Sequence, residues 1–206
     1  MHYAMKVTAI ALILLNGVWF HSVPAMANPS AQELVQQTSE HMITAINAEH
    51  DAIKQNPERL YALVEEIVLP HFDFRRMSSW VLGKHWRGAT EEQKEQFTRE
   101  FRTLLVRTYA TAMSEYSGQK IAYLPVKAAP DATEVTVRTE IEQPGSPSIP
   151  ISYNLFLKDG TWKVQDVVID NTSLVANYRS SFSSEVKRDG LDALISKLAA
   201  RNQHKA

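Results

Sequence analysis

Thr133-Glu134-Val135-Thr136-Val137-Arg138-Thr139-Glu140-Ile141-Glu142 alternates with a period of two. Val135, Val137, Thr139 and Ile141 fall on one side; Glu134, Thr136, Arg138, Glu140 and Glu142 fall on the other. Side chains of a strand point alternately to opposite faces, so this stretch reads as a strand with one buried and one wet face. Downstream, Pro144-Gly145-Ser146-Pro147 forms a loop into a second run, Ile149 to Lys158, where Ile151, Tyr153, Leu155 and Leu157 share a face. Asp159-Gly160 is a two-residue hairpin signal, and Trp162 to Ile169 returns as the next strand. Upstream, Lys120 to Val126 supplies another, giving at least four strands in an antiparallel meander.

Helical patterns flank the strands. Leu34, Val35, Met42, Ile43, Ile46 and Ile53 recur at helical spacing from Ala31 to about Lys54, with Ser30 as N-cap and Glu33 three residues on. A second helix runs from Arg59 to Val68 and is stopped by Pro70; a short one around Asp73 to Leu82 ends at Gly83. Thr90, followed by Glu91, Glu92 and Gln93, opens a long helix expected to reach Tyr116. Its inner face carries Phe97, Phe101, Leu104, Leu105, Tyr109, Ala112, Met113 and Tyr116. Helices from Ser173 to Val186 and from Leu191 to Ala200 follow, and the tail from Gln203 to Ala206 reads as frayed. The fold class is therefore α+β, with helices packed on one face of an antiparallel sheet.

Met1 to Ala27 reads as a secretory signal peptide. Lys6 is its one charged residue, Val7 to Phe20 is almost wholly apolar, and Ala25-Met26-Ala27 offers small residues for cleavage after Ala27. That apolar run of about 14 residues falls short of the roughly 20 that span a hydrocarbon core. Residues 28–206 then form one domain, with no later hydrophobic span. Lys6 is one of 22 basic residues against 23 acidic ones, so the processed chain carries no basic field that would gather nucleic acid. It contains no cysteine, which excludes disulfides, thiol catalysis and cysteine metal sites.

The side chains that carry chemistry are scattered. His41, His50, His71, His85 and His204 form no metal-ligand spacing, and no nucleophile elbow, phosphate loop or dinucleotide fingerprint is present. Glu65-Glu66 and Glu91-Glu92 are helix neighbours that point in different directions. Asp166 and Asp170 make the one carboxylate pairing worth weighing, although an outer strand face and a turn account for them better. No catalytic residue, metal or cofactor is assigned. What remains is an apolar, aromatic interior, which pattern alone reads as a packed core more readily than as a cavity.

Taken together, several segments resemble the MlaC family of periplasmic phospholipid carriers, also described as toluene-tolerance proteins. They are Pro70-His71-Phe72-Asp73-Phe74, Val81-Leu82-Gly83-Lys84-His85-Trp86-Arg87, Glu92 to Phe101 and Thr108-Tyr109-Ala110. The series continues with Trp162-Lys163-Val164, Asp166-Val167-Val168-Ile169-Asp170, Ser173 to Arg179, Phe182 and Gly190-Leu191. Family members often carry glycine and valine after the aspartate that closes the last strand. This chain has Asn171 and Thr172 there, and asparagine tolerates the left-handed backbone such a turn needs.

The resemblance implies a shuttle for a glycerophospholipid between an outer-membrane lipoprotein complex and the substrate-binding component of an inner-membrane ABC transporter, a role that maintains outer-membrane lipid asymmetry. It implies a lipid-sized apolar cavity between sheet and helices. Two acyl chains of about 30 methylenes would cost on the order of 24 kcal/mol to expose, at roughly 0.8 kcal/mol each. On that reading Phe101, Leu105, Tyr109, Met113, Val137, Tyr153, Leu155 and Val164 are candidate lining residues. Lys84, Arg87 and Arg179 are candidates for the head-group mouth, against the ordinary alternative of solvated surface. A lipid hydrolase using the same cavity and a periplasmic chaperone or adaptor are the competing functions.

Overall fold

The computed structural model describes residues 29–114, 118–129, 131–143 and 145–204. The leader expected over Met1 to Ala27 and the expected helix end at Tyr116 lie outside the described residues. The sheet is a five-stranded antiparallel meander in chain order: β1 (Ile121–Leu124), β2 (Glu134–Gln143), β3 (Ser146–Lys158), β4 (Thr161–Ile169) and β5 (Thr172–Ser173). Asp159 and Gly160 both take positive φ at the β3–β4 turn. Asp170 (φ 46°) and Asn171 (φ 62°) make a second tight turn into β5, so asparagine does hold the left-handed position expected of it. β3 starts earlier than its apolar run because its first residues pair with the end of β2, Ser146 opposite Gln143 and Ile149 opposite Ile141.

The helices are α1 (Ala31–Ala48), α2 (His50–Gln55), α3 (Glu58–Leu63), α4 (Phe74–Leu82), α5 (Lys84–Gly88), α6 (Glu91–Ser114), α7 (Leu174–Asp189) and α8 (Leu191–His204). Ser30 and Glu33 form a reciprocal capping box. Thr90 and Gln93 form another, with bonds of 3.0 and 3.1 Å. The first expected helix is interrupted at Glu49, and the second passes after Leu63 into a π-helical turn (Val64–Val68) and a 3-10 turn (Leu69–His71). At the other end, α8 continues helically to His204 where a frayed tail was expected from Gln203.

The apolar stripe of α6 serves two clusters. Phe97, Phe101, Leu104 and Leu105 join the main core with Met77, Val81, Val137, Leu155, Val164, Phe182 and Leu194. Val106 and Ala110, with Met113 packed against them, join a second cluster of Met42, Ile46, Leu60, Leu63, Val64 and Ile67. The single inner face read from the sequence is thus divided, because α6 is covered by the sheet-side core on one flank and by α1, α3 and the π turn on the other. Leu157, expected on the inner face, is 38% exposed. It sits at the β3–β4 hairpin tip, paired with Trp162, while its neighbour Phe156 is buried under the Arg76 guanidinium at 3.9 Å.

Candidate functional site

The register sorts the inner sheet face into rows of cross-strand partners. Behind the exposed Leu157 and its partner Trp162 at the β3–β4 hairpin, Val135, Leu155 and Val164 are partners, and Leu155 and Val164 are buried. Next come Val137, Tyr153 and Val167, where both valines are buried and Tyr153 keeps accessible surface. Beyond them lie Tyr123, Thr139, Ile151 and Ile169, of which Thr139 alone is buried. The last row, Ile121, Ile141 and Ile149, is half-buried throughout. The inner face is therefore apolar along its length and progressively less covered toward the Ile121, Ile141 and Ile149 end. A face covered only by its own helices at one end and half open at the other is where an apolar guest gains most from burial.

Hydroxyl groups along this wall are paired off. Tyr153 bonds with Thr139, but burial outweighs that bond and, with Tyr123 nearby, pushes the Tyr153 phenol above its ordinary pKa. Burial likewise pushes Tyr109 on α6 up to about 12, aided by its neighbour and hydrogen-bond partner Tyr178. Both phenols stay neutral at physiological pH, so the wall carries no charge there.

Of the eight candidate lining residues, Phe101, Val137 and Leu155 have 0% exposure and Leu105 and Val164 are nearly as buried. Tyr109 and Tyr153 are half-buried against the same core, while Met113 packs against the second cluster. Of the three candidate cations, Arg179 reaches the α4–α5 corner: a Cβ placed on Gly83, the residue before Lys84, would stand 3.2 Å from its guanidinium. Arg87 lies one helical turn beyond Lys84, and all three are exposed.

Asp166 is not on a wet outer face. It is buried, accepting 2.6 Å from the Ser173 hydroxyl and 3.1 Å from the Val175 N–H, so it anchors the start of α7. Asp170 is in the positive-φ turn. Among the described residues, no three His, Asp or Glu side chains come close enough to hold a metal ion, and no helix is long and apolar enough to cross a membrane.

A pocket of about 530 Å³ that sequence reading missed lies at the other end of the sheet, where the 3-10 turn, α6 and the β3–β4 hairpin meet. Leu69, Pro70, Phe72 and Phe74 give it an apolar floor; Arg99, Arg102, Lys158 and Lys163 stand around it with Glu65 and Asp73. Arg99 and Arg102 at i and i+3, with Lys158 and Lys163 straddling a hairpin turn, were the sequence signals available.

The arrangement defines an α+β domain whose helix-covered sheet offers a graded, partly open apolar face. A family model described as MlaC protein matches residues 36–200, and the chain belongs to that family. It is 30% identical over 177 residues to the intermembrane phospholipid transport system binding protein MlaC of Haemophilus influenzae, covering 84% of this chain and 83% of that protein. Toluene tolerance protein ttg2D of Pseudomonas putida is 27% identical over 168 residues, covering 81% and 78%. Among solved structures, a phospholipid-binding protein from Ralstonia solanacearum in complex with a phospholipid superposes with a TM-score of 0.80 at 31% identity, over 86% of this chain and 99% of that one.

Proposed function

We propose that this chain is a periplasmic phospholipid carrier and not an enzyme: it takes up a glycerophospholipid, encloses the acyl tails and passes the lipid between an outer-membrane lipoprotein complex and an inner-membrane ABC transporter complex, maintaining outer-membrane lipid asymmetry. The observation that carries this reading is the apolar inner sheet face, whose cover falls away from Leu155 and Val164 toward Ile121, Ile141 and Ile149. The lipid held by the Ralstonia solanacearum relative and the transport-system name of the Haemophilus influenzae relative support it. The leader read from the sequence of Met1 to Ala27 supports export.

In this reading Tyr109 and Tyr153 touch the tails directly, together with Ile151 and Ile169. Phe101, Leu105, Val137, Leu155 and Val164 form the closed end against which the tails stop, and Met113 bounds the cavity only where α6 turns toward its second cluster. Lys84, Arg87 and Arg179 meet the head-group phosphate from the α4–α5 corner. Native mass spectrometry of gently purified protein checks the reading: bound, intact diacyl lipid is expected. Protein that is repeatedly recovered empty and takes up no lipid from vesicles overturns it.

A further inference from the structure

The pocket at the hairpin end of the sheet is lined by four cations against two carboxylates, in a chain whose net charge is −1. Asp73 is occupied: it accepts from the Arg76 N–H at 2.9 Å and pairs with Lys158 at 2.7 Å. Lys163 spends one N–H on the Pro70 carbonyl at 2.7 Å and pairs with no carboxylate among the described residues. That carbonyl is available because the π and 3-10 turns leave it outside a regular ladder. Arg102 faces Glu65 at 3.4 Å, long for a charge-assisted contact, and its Nε is buried without a partner. Arg99 makes no ion pair among the described residues. Thr98 and Arg99 also line an adjoining recess of about 240 Å³.

We propose that this pocket is a docking site for an acidic segment of a partner protein: carboxylates meet Arg99, Arg102 and Lys163, while a bulky apolar side chain of the segment lies on Leu69, Phe72 and Phe74. Its volume exceeds what a single ion requires, and stacked rings of Phe72 and Phe74, 5.7 Å between centroids, offer a flat apolar floor. The positive potential is felt locally, since Lys163 adds to burial in lowering the pKa of His71. A lipid whose tails enter at the open end of the apolar face does not reach this pocket along the sheet. Residues 149 to 158 of β3 separate the open end of the apolar face from this pocket by about 30 Å of strand at roughly 3.3 Å per residue. Phe97, Phe101, Val137 and Leu155 fill the space between with no accessible surface. The inference goes beyond the carrier reading and does not depend on it.

The test uses the purified protein and a fluorescein-labelled peptide, Ser-Glu-Asp-Leu-Phe-Asp-Glu-Ser, followed by fluorescence anisotropy. Saturable binding is expected, weakened at least about tenfold by Arg99→Glu or Lys163→Glu, and similarly when lysines replace the peptide's acids or serines replace Leu-Phe. Raising sodium chloride should weaken it, as expected of exposed charge pairs. Arg99 is exposed, so Arg99→Glu reads the site even where Lys163→Glu disturbs folding by losing Pro70. Lys187→Glu on α7 should change nothing, and none of these variants should alter bound lipid. Absence of saturable binding, equal binding by the Arg99→Glu variant, displacement by millimolar inorganic phosphate, or Arg99-dependent sedimentation with phosphatidylglycerol vesicles overturns the proposal.

Discussion

Tyr153 stands directly across the β2–β3 ladder from Val137, yet Val137 has no accessible surface and Tyr153 keeps some. The two residues mark where the interior changes from packed core to partly open wall. Tyr153→Trp should therefore lower bound lipid several-fold in native mass spectrometry. Its thermal midpoint should move by less than about 4 °C, the shift that about 1 kcal/mol produces in a domain of this size. Leu155→Trp, one row deeper, should instead cost about 1–3 kcal/mol through overpacking, read by urea denaturation. Equal loss of stability in both variants, with lipid unchanged in both, would remove Tyr153 from the lining.

Asp166 holds two donors that have no other acceptor among the described residues, the Ser173 hydroxyl and the Val175 N–H. Ser173 in turn accepts from the Ala176 N–H at 3.0 Å, so one carboxylate orients the cap of α7. Asp166→Ala should destabilise the fold by about 1–3 kcal/mol, with Asp166→Asn costing less because it retains an acceptor. Urea melts check this. A hydrolase acting through the same carboxylate would degrade bound lipid on prolonged incubation; intact lipid is the expected result.

What was legible in the sequence was local. The period of two around Val137, the Asp159-Gly160 turn and the capping boxes at Ser30 and Thr90 each depend on neighbours within a few residues, and each forms as expected. Phe101 and Met113 show the limit: 12 residues at about 100° per residue place them about 120° apart, and only the tertiary neighbours decide that both flanks of α6 are covered. The register shift on β4 beside Gln165 and the π turn over Val64–Val68 likewise answer to packing across the molecule. Facing along β3 was readable from parity, but depth was not, because the cover over Val137 and Tyr153 comes from helices distant in sequence. The basic pocket joins Arg99 to Lys158 and Lys163 through the fold and carries no motif.

Gly83 takes φ 54° and ψ −118° between α4 and α5, with the Arg179 guanidinium lying over it. Gly83→Ala should cost about 1–3 kcal/mol, since a side chain is strained at that backbone conformation and also meets Arg179. Adding Arg179→Ala should recover only the steric part. Thermal melts of the two single variants and the double variant check this, and full recovery in the double variant would show that the backbone conformation itself costs little.

Asp73 gives the fold an acid-sensitive joint. Burial acts to raise its pKa, but the Lys158 ammonium at 2.7 Å, the Arg76 N–H and the Arg76 charge together hold it below the usual carboxylate value. A carboxyl whose pKa is depressed by folding binds its proton more readily in the unfolded chain. Its stabilisation is therefore complete above the unfolded pKa of about 4 and fades as pH falls through the lower folded value. Between pH 7 and pH 5 the contribution of this group, read by urea denaturation, should be complete and constant, and a decline assignable to it should appear below about pH 4. Asp73→Asn keeps an oxygen that can cap α4 and loses the charge facing Lys158, so the variant should start less stable at neutral pH and show a shallower acid limb. An acid limb of unchanged slope in Asp73→Asn would assign acid sensitivity to other carboxylates and leave the Asp73–Lys158 contact a surface pair of small consequence.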